Sequence, residues 1–256
     1  MKINIFANEE QLHEAAAQTI VRLLRRKPDA VLGLATGGTP VGIYEKLAAA
    51  VRRGEISFAR ATTFNLDEYV GLPPDHPESY RSYMERHLFR HIDLPPERAH
   101  IPDGNAADLE CECERYERLL QDAGRIDLLL LGLGHNGHIG FNEPGRELHS
   151  KTHVAVLHPQ TREANSRFFR SLDEVPTRAV TMGLGGIFKA VTILLVVKGA
   201  DKADIVHRAL TGPLTTECPA SLLQLHPDLV VMLDEGAAAG FRQTAPGETH
   251  SVKGFR

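Results

Sequence analysis

The stretch Ile126-Asp-Leu-Leu-Leu-Leu-Gly-Leu-Gly-His-Asn-Gly-His-Ile-Gly-Phe-Asn-Glu-Pro144 decides the fold. Its first six residues, Ile126 to Leu131, form the near-continuous apolar run of a strand covered by helices on both faces. The turn that follows sits at the strand's carboxyl end, the edge at which open α/β sheets bind ligands. Between Gly134 and Pro144 that turn packs two histidines, two amides and a carboxylate, a composition suited to moving protons.

Gly132-Leu-Gly134-His-Asn-Gly137 also spells G-x-G-x-x-G. A dinucleotide fingerprint requires a helix directly after the third glycine and an acidic residue roughly 20 positions later. Here Phe-Asn-Glu-Pro follows, and the next strand-like run, His153 to Leu157, ends in His158-Pro159 without a carboxylate. A zinc site on His135 and His138 would need further converging ligands, and no H-E-x-x-H pattern supplies them. Either histidine alone reads as a solvent-facing side chain on a glycine-rich turn. Asn136, His138 and Glu143 together point instead to a proton relay.

Working outward, strand-like and helix-like segments alternate from end to end, the pattern of a mostly parallel sheet sandwiched by helices. Met1 to Phe6 predicts a first strand, Glu9 to Arg26 a helix, Ala30 to Ala35 a buried strand and Val41 to Arg53 a helix. Ala61 to Asn65 predicts a strand that ends in Leu66-Asp-Glu-Tyr-Val-Gly-Leu72. Helices are expected over Tyr80 to His91 and Ala106 to Asp122. Beyond the central motif come a polar helix from Thr161 to Phe169, strands over Ala179 to Leu184 and Val191 to Val197, a helix over Asp201 to Leu210, and a last strand, Leu229 to Leu233, closing the sheet. The expected architecture is α/β: a single-domain three-layer sandwich over residues 1–242, followed by a polar, aperiodic tail over 243–256.

The composition narrows the function. At 256 residues the chain can bury about three quarters of its unfolded surface. Its 29 basic and 33 acidic side chains, net charge -4, provide no basic field for nucleic acid. No apolar run approaches the ~20 residues of a membrane span, so no membrane partner is expected. Cys111, Cys113 and Cys218 form no even framework and read as free thiols, and the first residues lack a signal peptide's apolar core, so the expected compartment is the cytoplasm.

Leu34-Ala-Thr-Gly-Gly-Thr-Pro40 reads as a strand, a glycine turn and a proline opening a helix. Backbone N–H groups beside a helix amino terminus suit a phosphate, although a Gly-Gly turn can also merely connect two elements. The segment lacks the Gly-Lys-Ser/Thr of an ATP-binding loop. The candidate anion-binding residues are Thr36, Gly37, Gly38 and Thr39, with Arg167 and Lys202, cations expected at or near helix starts where a purely structural charge is more often acidic. Asp67 and Glu68 lie just past a strand end. Such acids often only cap the next element, yet a buried carboxylate at this edge is also the usual base for taking a proton next to a carbonyl, its pKa lifted from about 3.9.

Six blocks together resemble one family: Thr-Gly-Gly-Thr-Pro at 36 to 40, Phe-Asn-Leu-Asp-Glu-Tyr-Val-Gly-Leu at 64 to 72, His-Pro-Glu-Ser-Tyr at 76 to 80, Gly-His-Ile-Gly-Phe-Asn-Glu-Pro at 137 to 144, Thr-Arg-Glu-Ala-Asn-Ser-Arg-Phe-Phe at 161 to 169 and Leu-Gln-Leu-His-Pro at 223 to 227. They are similar to the glucosamine-6-phosphate deaminases over about residues 1 to 240. The resemblance implies conversion of glucosamine 6-phosphate and water to fructose 6-phosphate and ammonia, in amino-sugar catabolism, without a cofactor. It implies His138 as the shuttle for ring opening, Asn136 and Glu143 as its orienting partners, Asp67 as the base at C2, and the glycine loop, Arg167 and Lys202 as the phosphate site. It also suggests a mobile lid over about 158 to 187. Many relatives carry aspartate where this chain has Asn136. Longer, hexameric members bind an N-acetylated sugar phosphate through small hydroxyl residues just after Asn-Glu-Pro and basic residues about ten positions on. Here those positions hold Arg146 and Glu147, then His153 and Ala155. A regulatory site is therefore expected to be absent, with a monomer or a homo-oligomer in solution. A related isomerase or lactonase and a non-catalytic sugar-phosphate sensor remain the alternatives at this stage.

Overall fold

The computed structural model describes residues 1–242; the tail expected over 243–256 lies outside them. The chain runs β1 (Lys2–Phe6), α1 (Glu9–Arg26), β2 (Val31–Leu34), α2 (Pro40–Arg52), β3 (Thr62–Asn65), β4 (Asp67–Tyr69), α3 (Tyr80–His87), β5 (Ala99–His100), α4 (Leu109–Asp122) and β6 (Leu128–Leu131). It continues through β7 (His153–Val156), α5 (Pro159–Asn165), β8 (Arg178–Thr181), α6 (Leu184–Phe188), β9 (Thr192–Val197), α7 (Ala203–Thr211), β10 (Leu229–Asp234) and α8 (Ala239–Arg242). Seven strands form one sheet in the order β1-β10-β9-β6-β2-β3-β5, and every pairing in it is parallel. This is the three-layer α/β sandwich that the alternating pattern predicts. The fully buried run of β6, Leu128–Leu131, lies between β9 and β2 in its middle.

The strand order reverses between β6 and β2, so the chain leaves these neighbours in opposite directions and opens a crevice at their carboxyl ends. Both the glycine loop after β2 and the histidine turn after β6 feed that crevice. The last strand, β10, inserts between β1 and β9, and β1 takes the edge. Ile3 and Ile5 of β1 are accordingly exposed.

A second sheet departs from expectation. β8 was expected within the main sheet; instead it is the centre of an antiparallel trio, β4-β8-β7. Leu66 makes the transfer: its amide donates to Leu34 O of the main sheet and its carbonyl accepts from Met182 N, just past β8. Three residues, Asp67–Tyr69, are too short and too acidic to announce a strand by propensity. They are held in it by β8. The segment 158–187 includes a strand paired on both edges, with Ala179, Val180 and Thr181 fully buried.

Helix limits shift for local reasons. α3 stops at His87 because Leu88 leaves helical geometry, and a short 3-10 turn, Phe89–His91, finishes the segment expected to be helical. α4 starts at Leu109, where the Asp108 carboxylate accepts the N–H groups of Glu110 and Cys111. α5 ends at Asn165, and Arg167 sits in a 3-10 turn, Ser166–Phe168, which corrects its expected place at a helix start. Lys202 is the residue capping α7, as expected. The cysteines are free, Cys111 exposed and Cys113 buried on α4, pointing different ways. Among the described residues no helix is long and apolar enough to cross a membrane.

Candidate active site

At the switch point the structure holds a cavity of about 370 Å³ lined by Thr36, Gly37, Gly38, Thr39, Asp67, Asn136, His138, Arg167 and Lys202, among others. Glu143 lies behind the wall, against Asn136 and His138. The glycine loop joins β2 to α2, and Gly37 adopts φ 105°, a left-handed conformation that side chains resist. A methyl group at Gly37 or Gly38 would meet no neighbour within 4 Å, so the loop's inner surface is open to the cavity. Thr39 precedes Pro40 at the start of α2 without a side-chain cap, leaving its hydroxyl uncommitted. Tyr83 Oη anchors the turn by donating to Gly37 O at 2.7 Å.

Arg167 and Lys202 line the same cavity. Lys202 Nζ donates to Leu133 O at 2.7 Å, which aims the ammonium along the turn that begins the histidine motif. Burial pushes the Lys202 ammonium down to about 8; the Asp201 carboxylate opposes that drop and the Arg167 charge adds to it. Arg167 is exposed, stacks over the Phe168 ring at 4.8 Å, and has no ion-pair partner among the described residues. Two cations that repel one another, sharing one cavity with the glycine loop at the start of α2, form a site for a doubly charged anion.

The histidine turn is a relay with a defined proton order. Asn136 Oδ1 accepts both from His138 N at 3.1 Å and from Nδ1 at 2.8 Å, while Asn136 Nδ2 donates to Glu143 Oε2 at 2.7 Å. An amide oriented this way requires the imidazole hydrogen on Nδ1 and leaves Nε2 as the acceptor. Glu143 Oε2 lies 3.4 Å from Nδ1, placed to stabilise an imidazolium once Nε2 takes a proton. Burial raises the Glu143 carboxyl, but the hydrogen bond and charge of His138, with Thr161 and Asn136, outweigh it and hold the group at about 2. Gly134 serves a purpose the sequence concealed: a Cβ there would sit 2.3 Å from the His138 ring.

Asp67 and Glu68 have separate tasks. Glu68 accepts the N–H groups of Tyr69, Tyr80 and Arg81 at 2.8, 2.9 and 2.9 Å, capping α3, so the capping alternative describes it. Asp67 has no hydrogen-bond partner among the described residues and lines the cavity. Burial first, and the Glu68 charge second, push its carboxyl from the ordinary 3.8 up to about 8. The histidine turn docks beside it. Phe141 N donates to the hydroxyl of Thr181, the β8 residue paired with Asp67, and a Cβ on Gly140 would lie 3.4 Å from Asp67 Oδ2.

Sequence reading did not single out Thr161, whose hydroxyl lies 3.3 Å from His138 Nδ1 and 3.4 Å from Asn136 Nδ2. Nor did it single out the His158 amide, which donates to Glu143 Oε1 at 3.2 Å. His135 turns away to Asp201 Oδ2 at 2.8 Å. A hydroxyl on a polar helix carries no sequence signal until the helix is docked.

Fold and site define an α/β protein with an anion-binding loop, two cations, a proton relay and a protonatable carboxylate around one small cavity. A family model for glucosamine-6-phosphate isomerases/6-phosphogluconolactonase matches residues 7–231, and the chain belongs to that family. The glucosamine-6-phosphate deaminase of Thermoanaerobacter pseudethanolicus is 49% identical over 239 residues, 93% of this chain and 94% of that protein. That of Bacillus velezensis is 51% identical over 231 residues, 90% of this chain and 96% of that protein. A solved structure described as a monomeric glucosamine-6-phosphate deaminase is 49% identical, with a TM-score of 0.91 over 94% of this chain and 100% of that one. The 6-phosphogluconolactonase of Thermotoga maritima, 24% identical with a TM-score of 0.71 over 91% of this chain and 99% of that one, shares the fold.

Proposed function

We propose that the chain converts glucosamine 6-phosphate and water to fructose 6-phosphate and ammonia. The observation that carries this reading is the pairing, in one cavity, of a His138 relay whose Nε2 is free with a buried Asp67 that no hydrogen bond occupies. Ring opening needs a proton taken from the C1 hydroxyl and one delivered to the ring oxygen, and His138 Nε2 serves both while Asn136 and Glu143 hold the ring and its charge. In the open chain Asp67 removes the C2 proton, giving an enolamine, and returns a proton at C1; the C2 iminium so formed adds water and releases ammonia, leaving the ketone. Burial lets Asp67 hold a proton well into neutral pH. The substrate's C2 ammonium, arriving beside it, favours the carboxylate and arms the base.

The glycine loop, Arg167 and Lys202 hold the phosphate, and that remote binding energy positions C2 against Asp67. No residue role here calls for a cofactor or a metal. Within the segment 158–187 the part free to swing over the substrate is 158–177, ahead of the paired β8. Arg162 braces that part by donating to Leu172 O and Val175 O at 3.0 Å. Monomeric behaviour is supported by the likeness to a structure described as monomeric. A cytoplasmic site of action is supported by three free cysteines. An assay coupling ammonia release to glucosamine 6-phosphate tests the function: steady release that stops with the sugar phosphate omitted is expected, and ligand binding without ammonia would identify a sensor instead.

A further inference from the structure

α5 and the residues that flank it touch the proton relay and the strand that carries Asp67, and lead into Arg167. His158 precedes the helix and gives its amide to Glu143 Oε1 at 3.2 Å. Thr161, 4% exposed, brings its hydroxyl to the corner between Asn136 Nδ2 and His138 Nδ1 and adds to the interactions that hold the Glu143 carboxyl down. One turn on, Asn165 Nδ2 donates to Tyr69 Oη at 3.1 Å, on the strand that carries Asp67. Two residues later comes Arg167 at the cavity mouth. Residues four apart share a helix face, so Thr161 and Asn165 turn the same side of α5 to the relay and to the base's strand.

The bonding at Thr161 is asymmetric in a useful way. The Nδ1 hydrogen of His138 goes to Asn136 Oδ1 at 2.8 Å, and the stronger Asn136 Nδ2 bond goes to Glu143 at 2.7 Å. At 3.3 and 3.4 Å, the Thr161 hydroxyl sits at the long end of hydrogen bonding to both groups. A shift of a few tenths of an ångström in α5 therefore makes or breaks this contact, while the Asn136 bonds stay within one loop and do not sense it. Arg167 lies in the 3-10 turn that directly follows α5, so the chain that carries it toward a bound phosphate is continuous with the helix that carries the Thr161 hydroxyl.

We propose that Thr161 is a positioning residue of the proton relay, through which the segment that carries the anion-binding Arg167 seats His138 for catalysis. The proposal rests on the deaminase reading and deepens it: phosphate occupancy sets the rate of ring opening as well as affinity. Thr161 touches no reacting atom, and its effect passes through His138.

The test compares Thr161→Val, which keeps the shape and loses the hydroxyl, with Thr161→Ser, which keeps the hydroxyl. The valine variant is expected to keep KM for glucosamine 6-phosphate and to lose roughly tenfold in kcat, the kinetic weight of one hydrogen bond, with a displaced pH profile of kcat. The serine variant is expected to restore both. An unchanged kcat in the valine variant, an equal loss in the serine variant, or a loss without any change in the pH profile would each overturn the proposal. A second measurement needs no turnover: the imidazole nitrogen signals of His138 in isotope-labelled protein, with and without inorganic phosphate. Phosphate is expected to shift them in the wild type and not in the valine variant, and equal shifts in both sink the proposal even if the deaminase reading stands. Failure of the wild type to release ammonia strikes that reading alone.

Discussion

Asp67 and Glu68, neighbours on β4 and both buried, differ in one decisive respect: Glu68 accepts three backbone N–H bonds and Asp67 accepts none from the described residues. A buried carboxyl without partners is a cost to the fold and an opportunity for chemistry.

Asp67→Asn should abolish turnover, a loss of at least about 10²-fold, while substrate still binds. It should also stabilise the protein at neutral pH. Between the ordinary 3.8 of an unfolded chain and about 8 in the fold, the native state keeps a proton that the unfolded chain has released, so rising pH favours unfolding. The penalty is absent below pH 4, grows by about 1.4 kcal/mol per pH unit across that window, and levels off above 8. Thermal melts of wild type and variant should coincide near pH 4 and diverge towards pH 8, with the asparagine protein the more stable. Parallel melting curves across the range would show that Asp67 is not protonated in the fold.

His138→Gln should impair ring opening and spare the later step. Supplied with an open-chain analogue, this variant should still exchange the C2 proton, which Asp67→Asn should not. Equal loss of exchange in both variants would end the division of labour between the two residues.

Asn136→Asp adds a second carboxylate beside Glu143 and His138 and so favours the imidazolium. The acidic limb of the pH–rate profile should move to higher pH. A profile identical to the wild type would show that the amide contributes geometry alone.

Lys202, held at about 8 by burial, should regain its proton when a phosphate dianion binds. Calorimetry with inorganic phosphate between pH 8 and 10, in buffers of differing ionisation heat, should therefore register proton uptake, and Lys202→Ala should remove it. Arg167→Ala and Lys202→Ala should each weaken substrate binding by roughly 1.5 to 3 kcal/mol. Comparable kcat/KM for glucosamine with and without its phosphate would dismiss the anion site.

Regulation by a second sugar phosphate should be absent. Arg146 and Glu147 are exposed after the Asn-Glu-Pro turn, Ala155 is buried on β7, and His153 stacks on His149 at 4.3 Å, an arrangement offering an anion a repelling carboxylate. Rate curves should be hyperbolic with or without N-acetylglucosamine 6-phosphate; a sigmoidal curve made hyperbolic by that compound would refute this.

Much of the parallel sheet was legible because its strands are buried on both faces, so Leu128–Leu131 and Thr192–Val197 advertise themselves as apolar runs. The small sheet was not, since β4 is Asp-Glu-Tyr and owes its extended form to pairing with β8. At the site, residue types marked Asp67, His138 and the glycine loop, because carboxylates, imidazoles and glycines at strand ends carry chemistry wherever the chain places them. The separate tasks of Asp67 and Glu68, the steric need for Gly134 and the reach of Thr161 are tertiary facts: each depends on an element distant in sequence docking within a few ångströms.

The most direct test of the central claim follows ammonia release and loss of label from glucosamine 6-phosphate deuterated at C2, in the wild type and in Asp67→Asn. The wild type should release ammonia with a primary isotope effect and wash label from C2, and the asparagine variant should bind the sugar yet do neither. Ammonia released by the variant at a rate near the wild type's would contradict that claim.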